Sequence, residues 1–356
     1  MLAALAGLPL HVSSQSNSPV PQPPVGLPPI VVSTPANTSA DAEWFALKNQ
    51  VRQNPSTPAG KNTAPAATTS AAAVAKLLDQ ANQLQDFRTK HPAHPAVKEA
   101  KQLEAVVLAF AALKGDMSQD QRRASLVEEV RIDQGLPVAR RFEAVAWSKQ
   151  VGIARQKPAA RADFLAAHET AGRQLVSEFP AFPGGYESLL GVARDSAPDR
   201  GKVIARDLIG MAGAPAFVKD EANLLLGRFA LIGRSFTSIL ATAGAAALPP
   251  NTQGKIVVIY AWRSDIMPYQ ALFAKAPTAA FIGINLDTNA ALAKETVTKA
   301  KLPGDQYYDS RGATSPLAVA LQLNRPPAVY LIDATGVICD VQGADAFAQK
   351  LSQLGR

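Results

Sequence analysis

Thiols are almost absent from this chain. Its 356 residues include one cysteine, Cys339, so no intramolecular disulfide can form and no cysteine-based metal cluster can assemble. Histidine is nearly as scarce, with His11, His91, His94 and His168. In "KHPAHP" two of these stand three apart, but a proline follows each, which makes the stretch a loop rather than one face of a helix. No carboxylate or further histidine converges on it in sequence, so a metal site is not expected. No apolar run reaches the roughly 18 residues that a membrane span needs, so no transmembrane segment is expected. Lys and Arg total 36 against 29 Asp and Glu, a formal charge of +7. These cations are scattered, with no run of four and no interleaved aromatics, which reads as a solvated basic surface and not as a nucleic-acid-binding face. Also missing are a P-loop, a G-x-S-x-G elbow, an H-E-x-x-H pair and a dinucleotide fingerprint, and no cofactor is expected.

What is present divides the chain into three. Residues 1–40 open with "MLAALAGLPLHVSSQS", an apolar stretch with a small-residue exit but no positive start, which reads either as a weak signal peptide or as a mis-called start. The tract "NSPVPQPPVGLPPIVVSTPANTSA" follows as an extended Pro-rich linker. Together they suggest an exported protein of the bacterial periplasm or cell envelope. Residues 41–233 are helical and hold no strand-like run. Amphipathic segments such as "AAAVAKLLDQANQLQDFRTKH", "PAVKEAKQLEAVVLAFAALKG" and "PAFVKDEANLLLGRFALIG" are separated by Pro/Gly breaks, and Ser118 is placed to cap "SQDQRRASLVEEVRID". The spacing suits a helical-hairpin domain of the tetratricopeptide type, serving either as a partner-binding module or as a plain packed bundle.

The pattern changes at Arg234. "SFTSILAT" alternates like an edge strand. "KIVVIYAW" and "AAFIGINLD" are continuous apolar runs of the kind buried on both faces of a sheet. "ALAKETVTKAKL" and "SPLAVALQL" read as helices, "PAVYLID" and "GVICDVQG" as strands joined by "ATG", and "DAFAQKLSQLG" as a closing helix. Residues 234–356 are therefore expected to form an α/β domain with a mixed central sheet flanked by helices.

The order "GKIVVIYAW", "FIGINLD", "LPGDQYYDSRGATSPLAVALQLNRPPAVYLIDATGVI" resembles the thioredoxin-like proteins of the TlpA/ResA and AhpC/TSA group, which are envelope thiol-disulfide oxidoreductases and their peroxide-reducing relatives. The resemblance covers residues 234–356, and the helices ending "LLLGRFALIGRSF" resemble the segment that precedes this domain in some of them. In that group the first buried strand runs into a loop with two cysteines at a helix start. Laid down without a gap, Trp262 matches the motif's first tryptophan and Pro268 its proline, while the two cysteine positions fall on Ile266 and Tyr269. Neither can carry out thiol exchange. The group's cis-proline loop aligns with Pro326–Pro327. If Pro327 is the cis residue, Pro326 before it has no N–H to offer a docked peptide; if Pro326 is, Arg325 keeps one.

The resemblance thus implies a fold retained around an eroded active site. The expected role is non-catalytic protein binding or scaffolding with another envelope protein, through Trp262, Arg263, Asp265, Tyr269, Arg325, Pro326 and Pro327. For Arg263 and Asp265 the plainer alternative is a solvated loop in which Asp265 caps the next helix. The competing reading is a thiol-disulfide or peroxide-reducing enzyme that uses Cys339 or a partner's thiol. Alternation along "GVICDVQG" puts Cys339 on an apolar face with Val337 and Val341, where a thiol usually acts as a small hydrophobe.

Overall fold

The structure, a computed structural model, describes residues 39–53, 67–244, 252–265, 273, 278–323, 328–341 and 350–351. The expected leader and the Pro-rich tract lie outside them, except for Ser39 and Ala40, which open the first helix rather than ending a linker, and so does most of the closing helix expected at "DAFAQKLSQLG". The chain forms two compact units, residues 1–188 and 189–356.

The described residues of the first unit hold helices and no strand: α1 (Ser39–Gln53), α2 (Ala67–Lys90), α3 (Val97–Leu113), α4 (Asp120–Ile132), α5 (Val138–Gln156), α6 (Arg161–Glu178) and the start of α7 (Gly184–Asp195). From α1 to α6 each helix packs on the next, and α3 also packs on α5. The core is a continuous cluster that includes Leu84, Phe87, Leu108, Phe142 and Leu175. A buried carboxylate ties three helices together. Glu104 on α3 is fully buried and accepts from Arg88 Nε of α2 at 2.9 Å and from Arg122 Nε of α4 at 2.8 Å. Removing one partner of such a group strands a buried charge, at a cost of roughly 3–5 kcal/mol. The two loop histidines have structural work. His91 Nε2 meets Glu43 at 3.1 Å and His94 Nε2 meets Asp41 at 3.1 Å, which fastens α1 to the α2–α3 turn. Ser118 does not cap α4. The helix begins at Asp120, with Gln119 at its N-cap position and no side-chain cap, and the Ser118 amide instead donates to Asp116 Oδ1 at 2.7 Å in an Asx turn just before it.

The second unit holds the end of α7, then α8 (Pro198–Gly210), α9 (Ala216–Phe229), α10 (Phe236–Thr242), α11 (Ala290–Ala300), α12 (Pro316–Ala320) and one sheet. Its strands are β1 (Val257–Trp262), β2 (Ala280–Asn285), β3 (Asp305–Tyr308), β4 (Ala328–Ile332) and β5 (Ile338–Asp340), in the order β3-β2-β1-β4-β5. β1, β2 and β3 run parallel, β4 pairs antiparallel with β1, and β5 pairs antiparallel with β4. This is the mixed, helix-flanked sheet expected from the sequence. β1 lies at its centre, and every residue from Val257 to Trp262 is buried, because each face of a strand covered on both sides must be apolar.

α8 and α9 share a unit with this sheet, and local contacts explain why. Arg228 Nε of α9 donates to the Gln322 carbonyl at 2.8 Å. Gly227 leaves room for the Gln322 side chain, which a Cβ there would approach to 2.9 Å. Just beyond, the Gly233 amide donates to the Ile338 carbonyl at 2.8 Å and the Ile338 amide to the Arg234 carbonyl at 3.0 Å, so this segment covers the outer edge of β5.

Two elements differ from the sequence reading. "SFTSILAT" is not a strand. Apart from one bridge of Ser235 to Val337, it is α10, capped by Ser235 Oγ accepting from the Ser238 amide, with Phe236, Ile239 and Leu240 buried at helical spacing. β3, in "GDQYYDSRG", is a strand that the sequence reading leaves out. It pairs in parallel with β2 from Asp305 to Tyr308 and supplies a polar residue, Gln306, to the sheet interior.

Candidate functional site

The carboxyl ends of β1 and β2 lie side by side, where α/β sheets commonly place ligands. Trp262 ends β1. Its indole is buried, at 1% exposure, and its Nε1 donates to Gln306 Oε1 at 3.0 Å. Gln306 in turn donates from Nε2 to Tyr260 Oη at 2.8 Å, and the Tyr260 hydroxyl donates to the Pro303 carbonyl at 2.7 Å. Burial pushes the Tyr260 phenol up to about 12. Trp262 therefore shapes the site from beneath and does not offer a contact surface.

The backbone leaves the sheet at Arg263, and a buried carboxylate fixes the next residue. Asp287 follows β2 and is 8% exposed. Its Oδ2 accepts from the Ser264 hydroxyl at 2.7 Å, from the Ser264 amide at 3.1 Å and from Asn285 Nδ2 at 2.8 Å. Thr296 on α11 donates to Ser264 Oγ at 3.0 Å. Ser264 thus gives up its proton to one side and accepts from the other, a saturated network that pins the loop after β1. Among the described residues no histidine takes part, and the one acceptor of this hydroxyl is the Asp287 carboxylate, which already takes hydrogen bonds from the Ser264 amide and Asn285.

Arg263 and Asp265 stand outside this network. They form a bidentate pair with each other, at 2.6 and 2.7 Å, and both are exposed. The Arg263 guanidinium holds the Asp265 carboxyl below the usual carboxylate range. Ile266, Tyr269, Arg325, Pro326 and Pro327 lie outside the described residues.

Cys339 is elsewhere. The register pairs Ile338 with Ile332 and Asp340 with Leu331 on β4, and those two residues pair with Val257 and Val258 at the start of β1. The thiol is thus level with the amino end of β1, on the order of 15 Å along the strand direction from its carboxyl end, and two strands across. Its Sγ donates to the Leu331 carbonyl at 3.3 Å, and the residue packs against the cluster of Val258, Tyr260, Trp262 and Leu331. Burial first, and then the charges of Asp333 and Asp340, push the thiol up to about 11. Among the described residues no three of His, Cys, Asp and Glu converge to hold a metal ion, and no helix is long and apolar enough to cross a membrane.

Sequence reasoning located Trp262 and the loop after it but missed Asn285, Asp287, Thr296 and Gln306. The one available signal was an acidic residue directly after a buried apolar strand, in "FIGINLD", which is costly unless it is satisfied locally.

No family model matches the chain, and no curated protein matches it. Two solved structures are similar to part of this chain. One is the C-terminal domain of a protein described as a thiol-disulfide oxidoreductase from Bacteroides thetaiotaomicron, 18% identical, covering 35% of this chain and 95% of that one, with a TM-score of 0.28. The other is a thiol-disulfide oxidoreductase from Bacteroides fragilis NCTC 9343, 21% identical, covering 32% of this chain and 93% of that one, with a TM-score of 0.28. At such distance neither bears on what this chain does.

Proposed function

We propose that residues 234–356 carry a thioredoxin-like fold that has lost its thiol chemistry and serves as a protein-binding or scaffolding surface, in a chain exported to the bacterial envelope and partnered by another envelope protein. The observation that carries this reading is the register of Cys339. The only thiol in the chain lies at the opposite end of the strands from the loop where exchange would take place, and burial keeps it protonated. The order and directions of the five strands support the fold, and the sequence resemblance supports the location and kind of partner.

The surface that remains at the carboxyl edge is polar and preorganised, with Arg263 and Asp265 exposed on a loop that Asp287 holds rigid. Preorganised loops bind with less ordering cost. A photoreactive residue at position 263 in the full chain, expressed in an envelope-bearing cell, tests the binding role. The same group at Val319, an exposed residue of α12 at 56%, is the control. A discrete crosslinked species from position 263 and none from 319 is expected; equal labelling from both would reject the loop as the docking face.

A further inference from the structure

In the N-terminal unit, apart from the site described above, a cleft of about 690 Å³ opens between α4, α5 and α6. That size is typical of pockets for small organic ligands. Its floor includes Val127, Val145 and Ala171. Gly152 of α5 widens it, since a Cβ there would meet no atom within 4 Å.

Two polar groups on the walls are incompletely matched. Lys149 Nζ donates to the neutral Gln174 Oε1 at 2.8 Å and meets no carboxylate among the described residues. Glu178 also lines the cleft, its side chain 24% exposed and its Oε1 without a hydrogen-bond partner among the described residues. Its nearest cation, Arg131 Nε, is 3.6 Å away, and Arg131 is already bidentate to Glu128 at 2.7 and 2.5 Å. One group calls for an anion, and the other, a part-exposed carboxylate with only a long ion pair, for a cation.

Their separation sets the length of a ligand that would satisfy both. Gln174, which Lys149 touches, is one helical turn from Glu178 on α6, about 6 Å along the axis. Two residues of extended chain span about 7 Å. We infer that this cleft binds a short apolar peptide of about two residues by its ends, with its carboxylate on Lys149, its ammonium on Glu178 and its side chains on the apolar floor.

The test is titration calorimetry of the full chain with the dipeptide leucyl-leucine, alongside its N-acetyl and C-amide forms. Saturable binding at roughly millimolar or tighter is expected for the free dipeptide. Blocking either end is expected to weaken it about tenfold, the scale of one charge-assisted hydrogen bond. In Lys149→Gln, amidation of the C-terminus should no longer matter, and Gly152→Leu, which fills the cleft, should abolish binding while the helical circular dichroism is kept. If Gly152→Leu loses helix, the Lys149→Gln comparison decides alone. No saturable heat, equal affinity for the blocked forms, or an unchanged loss on amidation in Lys149→Gln would each overturn the assignment.

Discussion

Gly283 and Gln306 face each other across the β2–β3 register, and the side chain of one occupies the space that the other leaves empty. A Cβ at 283 would stand 2.0 Å from Gln306 Oε1 and 2.9 Å from the Tyr260 hydroxyl. The glycine is what lets Gln306 reach across β2 to the Trp262 indole.

Gly283→Ala is therefore expected to expel Gln306 and leave the buried Trp262 N–H without its acceptor. The cost should be about 2–3 kcal/mol, the sum of an unsatisfied buried donor and local overpacking. Denaturant melts read the loss, and the fluorescence of the buried Trp262 should shift with it. An unchanged midpoint would mean that Gln306 has another route to Trp262.

Asp287 holds the loop after β1 through three donors. Asp287→Ala strands the Ser264 amide and the Asn285 amide group, and a loss of about 3 kcal/mol is expected. Thr296→Val removes only the outer link to Ser264 and should cost about 1 kcal/mol. Similar costs for the two variants would contradict the placement of Asp287 at the centre of the network.

His168 is buried in α6 at 3% exposure, with no hydrogen bond to its Nε2. Desolvation lowers it to about 4. In the unfolded chain the ring takes up a proton near 6.5, whereas the folded state resists until about 4. Stability is thus full above 6.5 and falls as pH drops from 6.5 to 4, by up to about 3 kcal/mol, and is level with respect to this group below that. His168→Phe should flatten that slope in pH-dependent urea melts. A slope that persists in the variant would assign it to other groups.

A protonated, half-buried thiol reacts slowly. Native Cys339 is expected to take up an aromatic disulfide reagent at pH 8 at least about tenfold more slowly than the unfolded chain does, because thiolate forms only near pH 11 in the folded state. Equal rates would place the sulfur at the surface.

Much of this fold was legible from the sequence because the central strands had to be apolar on both faces: "VVIYAW" and "AVYLI" have no polar position to misread. β3 escaped notice because "DQYY" has no apolar alternation; it is an edge strand whose inward Gln306 finds its side-chain partners, Tyr260 and Trp262, two strands away on β1. α10 misled because a short helix with Phe236, Ile239 and Leu240 facing in also satisfies a loose alternation. The candidate site was half legible. Trp262 and its loop could be found by matching residues in order, but Ser264 and Asp287 are 23 residues apart and meet only because β1 and β2 pair in parallel.

The most direct measurement is reduction of a protein disulfide together with peroxide consumption, using residues 41–356 and the Cys339→Ser variant side by side. The account requires both proteins to be inactive and indistinguishable from buffer. Turnover by the first that is lost in the second would contradict it, and would make Cys339 the catalytic thiol of a one-cysteine enzyme.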